Sequence, residues 1–197
     1  TRALEKARQL DADVLVLDLE DAVAPAQKAN ARAHIVAALA AGAYGERELV
    51  VRVNPVDSEW FADDLQALAA SALHSICLPK VEHPAQVVEV AERLDALGMR
   101  DCGLWAMAET PTGVFNIRAI AAAHPRLQVI MMGTSDLAKE LRARHVPSRE
   151  PFLFALCQCV LAAREAKLDI IDGVHLELED DAGLVNACEQ GRNLGFD

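Results

Sequence analysis

Aromatic residues are scarce in this 197-residue chain: five Phe, two Trp and one Tyr, 4% in all. Ala, Leu, Val and Ile must therefore fill the core. Basic residues are also short, with 19 Lys plus Arg against 30 Asp plus Glu and a net charge of −11. No basic run occurs, and phosphate contacts dominate nucleic-acid affinity, so no nucleic-acid partner is expected. An anionic membrane surface would repel such a chain. No apolar run approaches the length of a membrane span, and no signal-peptide pattern is seen. The cysteines are Cys77, Cys102, Cys157, Cys159 and Cys188. None form a C-x-x-C pair, and no Cys/His set has zinc spacing. Reduced, mostly buried thiols in a cytoplasmic protein are expected, with Cys157 and Cys159 facing different ways on one helix. No Pro/Gly/Ser-rich linker divides the chain, so a single domain over residues 1–197 is expected.

What is abundant is apolar sequence, 52% of the chain against 25% charged. Short apolar runs at 14–19, 49–54, 75–81, 103–109, 129–135 and 169–175 read as strands. Most are near-continuous rather than alternating, which suits parallel strands covered on both faces. Helical runs fall near 2–11, 26–41, 59–72, 84–97, 113–123, 148–167 and 180–194. Pro25 and Pro84 stand at helix starts, Ser148 is a candidate cap, and Gly42, Gly98 and Gly195 stand where helices should stop. The spacing of strand midpoints, roughly 25–40 residues, is that of a strand plus a crossover helix. Two α/β architectures compete, an open doubly wound sheet and a closed (β/α)8 barrel. No G-x-G-x-x-G follows any strand, which removes the best signal for a dinucleotide fold. The chain begins in a helix, Thr1–Asp11, and stops after another, so a barrel built from it would lack its first and last strands. A full barrel takes about 250 residues, and the expectation is that residues at both ends have been omitted.

Chemistry gathers at the C-terminal ends of parallel strands in either architecture. Here those ends are charged: Asp18, Glu20 and Asp21; Arg52 with Asn54; Lys80 with Glu82; Glu109; Asp136; Asp172 with His175. Buried strands avoid charge because desolvation costs several kcal/mol per unpaired ion. Each residue alone has a structural alternative. The acids could cap loops or helices, Arg52 could serve an ion pair, Lys80 could be solvated, Asp136 could cap a short helix, and Asp172 and His175 could satisfy loop backbone. Their convergence carries the inference. Carboxylates on neighbouring strand ends, Glu109 and Asp136, suit a hard divalent cation such as Mg²⁺. Arg52 would pair with a substrate carboxylate or a developing oxyanion. Gly133 permits close backbone approach. Together these read as enolate chemistry, in which a C–C bond breaks or forms while charge on oxygen is stabilised.

Six segments carry a family resemblance: DVLVLDLEDAVAP (13–25), VVRVNPVDSEW (50–60), CLPKVEHPAQV (77–87), ETPTGVFNI (109–117), MGTSDLAKELRAR (132–144) and DIIDGVHLELED (169–180). In this order, over nearly all of the chain, they resemble the citrate lyase β-subunit group of the HpcH/HpaI aldolase family. The resemblance implies a (β/α)8 TIM barrel, Mg²⁺ dependence, and lyase chemistry on acyl-CoA thioesters such as citryl-CoA or malyl-CoA. It implies Glu109 and Asp136 as metal ligands, and Arg52 as the arginine that contacts substrate oxygens. Glu20 and Asp21 match acidic residues facing the metal, and Lys80 matches a pocket position. The candidate catalytic set is thus Arg52, Glu109 and Asp136, with Glu20, Asp21 and Lys80 beside them in substrate binding.

The resemblance implies a first strand ahead of Thr1 and a C-terminal segment after Asp197, and both are expected to lie outside the 197 residues. The chain also has Ser135 where many relatives carry Asn or an acid. The activity expected is Mg²⁺-dependent cleavage of a 3-hydroxy-acyl-CoA to acetyl-CoA and a 2-keto acid. The alternatives are a 2-keto-acid aldolase without CoA, a malyl-CoA thioesterase, and a non-catalytic barrel subunit. A homo-oligomer, a trimer or a multiple of it, is implied. Lys28, Arg32, Arg142 and Arg144 are candidates for CoA phosphate contacts.

Overall fold

The computed structural model describes residues 2–197; Thr1, at the head of the expected first helix, lies outside the described residues. The described chain folds as alternating strands and helices and divides into two compact units, residues 2–79 with 89–104, and residues 80–88 with 105–197.

The first unit holds α1 (Arg2–Ala7), β1 (Val14–Asp18), α2 (Lys28–Ala41), β2 (Glu48–Arg52), α3 (Phe61–Leu68) and β3 (Ser75–Leu78). It also takes most of α4 (Pro84–Ala96) and the first two residues of β4 (Gly103–Ala108). β1 pairs parallel with β2, and β2 with β3, and the register sets Asp18 directly opposite Arg52. All four residues of β3 are buried, as a strand covered on both faces requires. Val50, Val51, Ile76 and Leu78 have essentially no exposure, and Phe61, Leu65 and Leu68 bury one face of α3. Aliphatic side chains do dominate this core, as the shortage of aromatics dictates.

The second unit holds the rest of β4, then α5 (Pro111–Ala121), β5 (Leu127–Met132), α6 (Thr134–Leu141), α7 (Leu153–Ala166), β6 (Asp169–Ile171) and α8 (Asp181–Leu194). β6 pairs parallel with β5. Every residue of β4 is buried, Trp105 among them. Helix α7 packs against α5 and both β5 and β6, burying Leu156, Cys159 and Ala163.

Several elements differ from the sequence expectation for local reasons. The run 129–135 is not one strand: β5 ends at Met132, and α6 begins at Thr134 with Gly133 as its N-cap. Asp136 therefore sits in the first turn of a helix rather than at a strand end. Ser148 caps nothing; a short 3₁₀ turn, Glu150–Phe152, precedes α7, and Arg149 stands before it at φ 56°. Gly42 and Gly195 do end α2 and α8, at φ 65° and 101°, a region that glycine enters without a Cβ penalty. Cys77, Cys102 and Cys159 are buried, and Cys157 and Cys188 are exposed. The pair on α7 thus faces two ways. Among the described residues no helix is long and apolar enough to cross a membrane.

Candidate active site

Glu109 is the acid that an apolar strand ends on. β4 stops at Ala108, and Thr110 is already the N-cap of α5, its hydroxyl accepting from the Gly113 N–H at 3.0 Å, with Pro111 opening the helix. Glu109 is the single residue between them, so its backbone is fixed from both sides. The Gly133 N–H donates to Ala108 O at 3.1 Å and ties the strand end to the start of α6. The Glu109 side chain is only 2% exposed, and its Oε1 accepts the backbone N–H of Lys80 at 2.8 Å. Gly133 is required here by contact rather than by φ. A Cβ at that position would lie 2.3 Å from Glu109 Oε2 and 2.4 Å from Glu109 Cβ. Gly113 plays a similar part, since a Cβ there would come within 2.4 Å of the Val81 carbonyl. Gly133 lets backbone close in on the Glu109 carboxylate, and Gly113 lets α5 start against the Val81 backbone.

Lys80 joins Glu109 to Asp136. Its backbone N–H holds Glu109, and its Nζ lies 3.3 Å from Asp136 Oδ2. Its φ is 51°, a left-handed conformation that costs a non-glycine residue about 1–2 kcal/mol and is tolerated mainly where the surroundings impose it. Asp136 lies in the first turn of α6, where the unsatisfied N–H groups favour negative charge. The second unit thus brings together three residues singled out in the sequence: Lys80, Glu109 and Asp136.

The first unit gathers another group. Arg52 grips Asp18 through two parallel bonds, Nε to Oδ1 at 2.7 Å and Nη2 to Oδ2 at 2.6 Å. Its Nη1 lies 3.0 Å from Glu20 Oε2, and Glu20 is 3% exposed. Burial pushes the Asp18 carboxyl up, but hydrogen bonding and charge from Arg52, with the N–H groups of Glu20 and Ala22, outweigh it and hold Asp18 below the ordinary range. Asp21 follows on the exposed side of the same loop. Lys28 is buried, with Nζ donating to the carbonyls of Leu19 and Glu20 at 2.7 Å each and standing over the Trp60 ring. It braces this loop instead of reaching for phosphate. Arg32 is likewise engaged with buried Asp64 at 2.9 Å, and Asp64 also accepts from the backbone and side chain of Asn54. Arg142 and Arg144 are exposed.

Asp172 takes no part in either group. It is bound bidentately by Arg149, one bond being 2.7 Å. Glu82 is used through its backbone, its N–H held by Gln86 and its carbonyl by Asn116. The sequence reading missed Asp18 as the partner of Arg52. The signal was available in the register of β1 on β2, which only pairing reveals.

The donor set of the second unit fits a hard divalent cation. Glu109 and Asp136 offer carboxylate oxygens, and Lys80 already presents a positive charge to one of them. Among the described residues no group of three or more His, Cys, Asp or Glu meets. One or two carboxylates with water and ligand oxygens is how Mg²⁺ is usually held, whereas zinc sites need three or four protein ligands.

Parallel strands covered by helices, with buried carboxylates and cations just beyond their C-terminal ends, define an α/β protein of the class that builds catalytic sites on strand-end loops. The chain belongs to the HpcH/HpaI aldolase/citrate lyase family, whose profile matches residues 1–197. It is 47% identical over 196 residues to the (3S)-malyl-CoA thioesterase of Cereibacter sphaeroides (strain KD131 / KCTC 12085), covering 100% of this chain and 67% of that enzyme. The chain therefore spans about two thirds of that relative's length. It is also similar to a solved citrate lyase beta subunit from M. tuberculosis complexed with oxaloacetate and magnesium, with a TM-score of 0.83, 33% identity, and 98% of this chain and 84% of that one covered. Protein CitE from Mycobacterium tuberculosis in complex with magnesium, acetoacetate and coenzyme A matches with a TM-score of 0.79 and 34% identity, over 99% of this chain and 68% of that one. The family resemblance read from the sequence holds, and these structural relatives carry magnesium.

Proposed function

We propose that this chain is the catalytic (β/α)8 domain of a Mg²⁺-dependent enzyme that cleaves the C–C bond of a 3-hydroxy-acyl-CoA of the malyl-CoA or citryl-CoA type. The observation that carries this reading is one lysine touching two carboxylates: its backbone N–H donates to buried Glu109 and its ammonium pairs with Asp136. Its support from relatives is that a similar protein of known structure is complexed with oxaloacetate and magnesium and another with coenzyme A. In this reading the six strands belong to a (β/α)8 barrel. A cytoplasmic homo-oligomer, a trimer or a multiple of it, is part of the same proposal.

Glu109 and Asp136 would hold Mg²⁺. When bound there, the cation supplies positive charge to the oxygens of the keto-acid half of the substrate. Arg52, its plane fixed by Asp18 and its Nη1 held beside Glu20, binds the substrate carboxylate, with Asp21 and Lys80 at the rim of substrate binding. A guanidinium held in this way loses little side-chain freedom on binding, so its attraction is preorganised. In cleavage the hydroxyl loses its proton and becomes the carbonyl of the 2-keto acid. The electron pair of the broken C–C bond passes to the thioester as an enolate, which is protonated to acetyl-CoA. Glu109, buried and braced by Lys80 N–H and Gly133, keeps the geometry rigid while this charge moves.

A second reading is hydrolysis of malyl-CoA, favoured by the 47% identity to a (3S)-malyl-CoA thioesterase across the whole chain. One experiment separates the two. Purified protein is incubated with malyl-CoA and Mg²⁺ and the products are resolved by liquid chromatography. Glyoxylate with acetyl-CoA supports the lyase; malate with free CoA supports the thioesterase; turnover of 4-hydroxy-2-keto acids but not of either thioester would replace both with an aldolase.

A further inference from the structure

Lys80 makes two contacts that a place at the rim of substrate binding does not by itself require. It occupies left-handed backbone at φ 51°, where glycine would be easier. Its N–H is spent on Glu109 Oε1 at 2.8 Å and its ammonium lies 3.3 Å from Asp136 Oδ2. One residue thus touches both carboxylates assigned to the cation, one through its backbone and the other through its charge. The two contacts differ in kind. The ammonium at Asp136 occupies the same carboxylate that a divalent ion would take, and two cations cannot share it at close range without strong repulsion.

We propose that Lys80 is a built-in counter-ion that exchanges places with the divalent cation. In the metal-free chain its ammonium neutralises Asp136. Cation binding expels the ammonium from that carboxylate, and the freed charge turns to the organic anion that binds next. Metal and anion binding are then coupled in sequence: the cation must arrive first, because only then does Lys80 become available to the anion. The inference rests on the assignment of Glu109 and Asp136 to the cation. The ammonium and Asp136 are partly exposed, 36% and 22%, so the competition is screened, and the expected effect is on the order of tenfold in affinity rather than thousands.

Calorimetry on the full chain at fixed pH tests this with MgCl₂ alone, then with oxaloacetate in the presence of saturating MgCl₂. Lys80→Met is expected to tighten Mg²⁺ about tenfold and to weaken oxaloacetate by about as much. Opposite signs in one variant distinguish an exchanging counter-ion from a structural lysine, whose loss would weaken both. Lys80→Gly separates the side chain from the backbone: it relieves the positive φ and keeps the N–H to Glu109, yet should reproduce both shifts. Unchanged or weaker Mg²⁺ binding in Lys80→Met would overturn the exchange. If Glu109→Ala abolishes Mg²⁺ binding while Lys80→Met leaves it unchanged, only this inference fails. If Glu109→Ala still binds Mg²⁺ normally, the metal assignment itself fails.

Discussion

Gly133→Ala adds one methyl group at the most crowded point of the candidate site. The backbone there, φ −104° and ψ 72°, has negative φ, so the change carries no left-handed strain and tests contact alone. The new Cβ would lie 2.3 Å from Glu109 Oε2, 2.4 Å from its Cβ and 3.1 Å from its Cδ. Favourable carbon contacts need about 3.5–4.0 Å, so the atoms must part by about 1 Å. Rotating the Glu109 side chain cannot relieve the contact with its Cβ, which is fixed to backbone tied at Ala108 and Thr110. Overpacking costs about 1–3 kcal/mol. Losing the bond from Lys80 N–H to a buried carboxylate adds about 1.5–3 kcal/mol. Urea denaturation should therefore show a loss of roughly 2.5–6 kcal/mol, a large share of a typical domain's stability of about 5–15 kcal/mol. Turnover should fall at least about a hundredfold if Glu109 shifts by 1 Å. In the Glu109→Gly background the obstructing atoms are gone, and the same substitution should cost under about 1 kcal/mol. Equal cost in both backgrounds, or no cost in the wild type, would refute the reasoning, because the coupling between neighbours would be absent.

Other outcomes follow from the same structure. Asp18 is held below its ordinary range by Arg52, so it stabilises the fold above the unfolded carboxyl value of about 3.9, and that contribution is lost as pH falls through its lower folded value. Acid titration of stability should accordingly be shallower in Asp18→Asn than in the wild type, and identical curves would contradict it. Burial pushes the Cys159 thiol from 9.0 up to about 12, so its contribution is full below pH 9 and lost as pH rises toward 12; Cys159→Ala should flatten the alkaline loss. Ellman's reagent should titrate two thiols quickly in the native protein, Cys157 and Cys188, and five only on unfolding. Thr110→Ala removes the cap on α5 and should cost about 1 kcal/mol by urea denaturation, with Thr110→Ser restoring most of it.

The alternation of apolar strands and Ala-rich helices was legible because buried parallel strands impose near-continuous apolar runs, as in β3 and β4. Glu109 was legible for the opposite reason: a charge directly after such a run needs an explanation. Boundaries were less so. Residues 129–135 read as one strand because Val-Ile-Met-Met is apolar and Thr-Ser carries no helix signal; only the close approach of Gly133 to Glu109 shows why the chain must turn there. Lys28 and Arg32 resembled solvated helix cations, since nothing local reveals that the 19–20 carbonyls and Asp64 lie within reach. Lys80 was the least legible of the site residues. Its contacts depend on two partners 29 and 56 positions away and on a positive φ that no residue type announces.

The central claim is that Glu109 and Asp136 together hold a divalent cation. Crystals of the chain soaked with Mn²⁺ and measured for anomalous scattering test it most directly. The account predicts one anomalous peak within about 2.0–2.3 Å of a carboxylate oxygen from each residue, with the Lys80 ammonium moved away from Asp136. A peak ligated by other side chains, or none at Glu109 and Asp136 at saturating Mn²⁺, would contradict it.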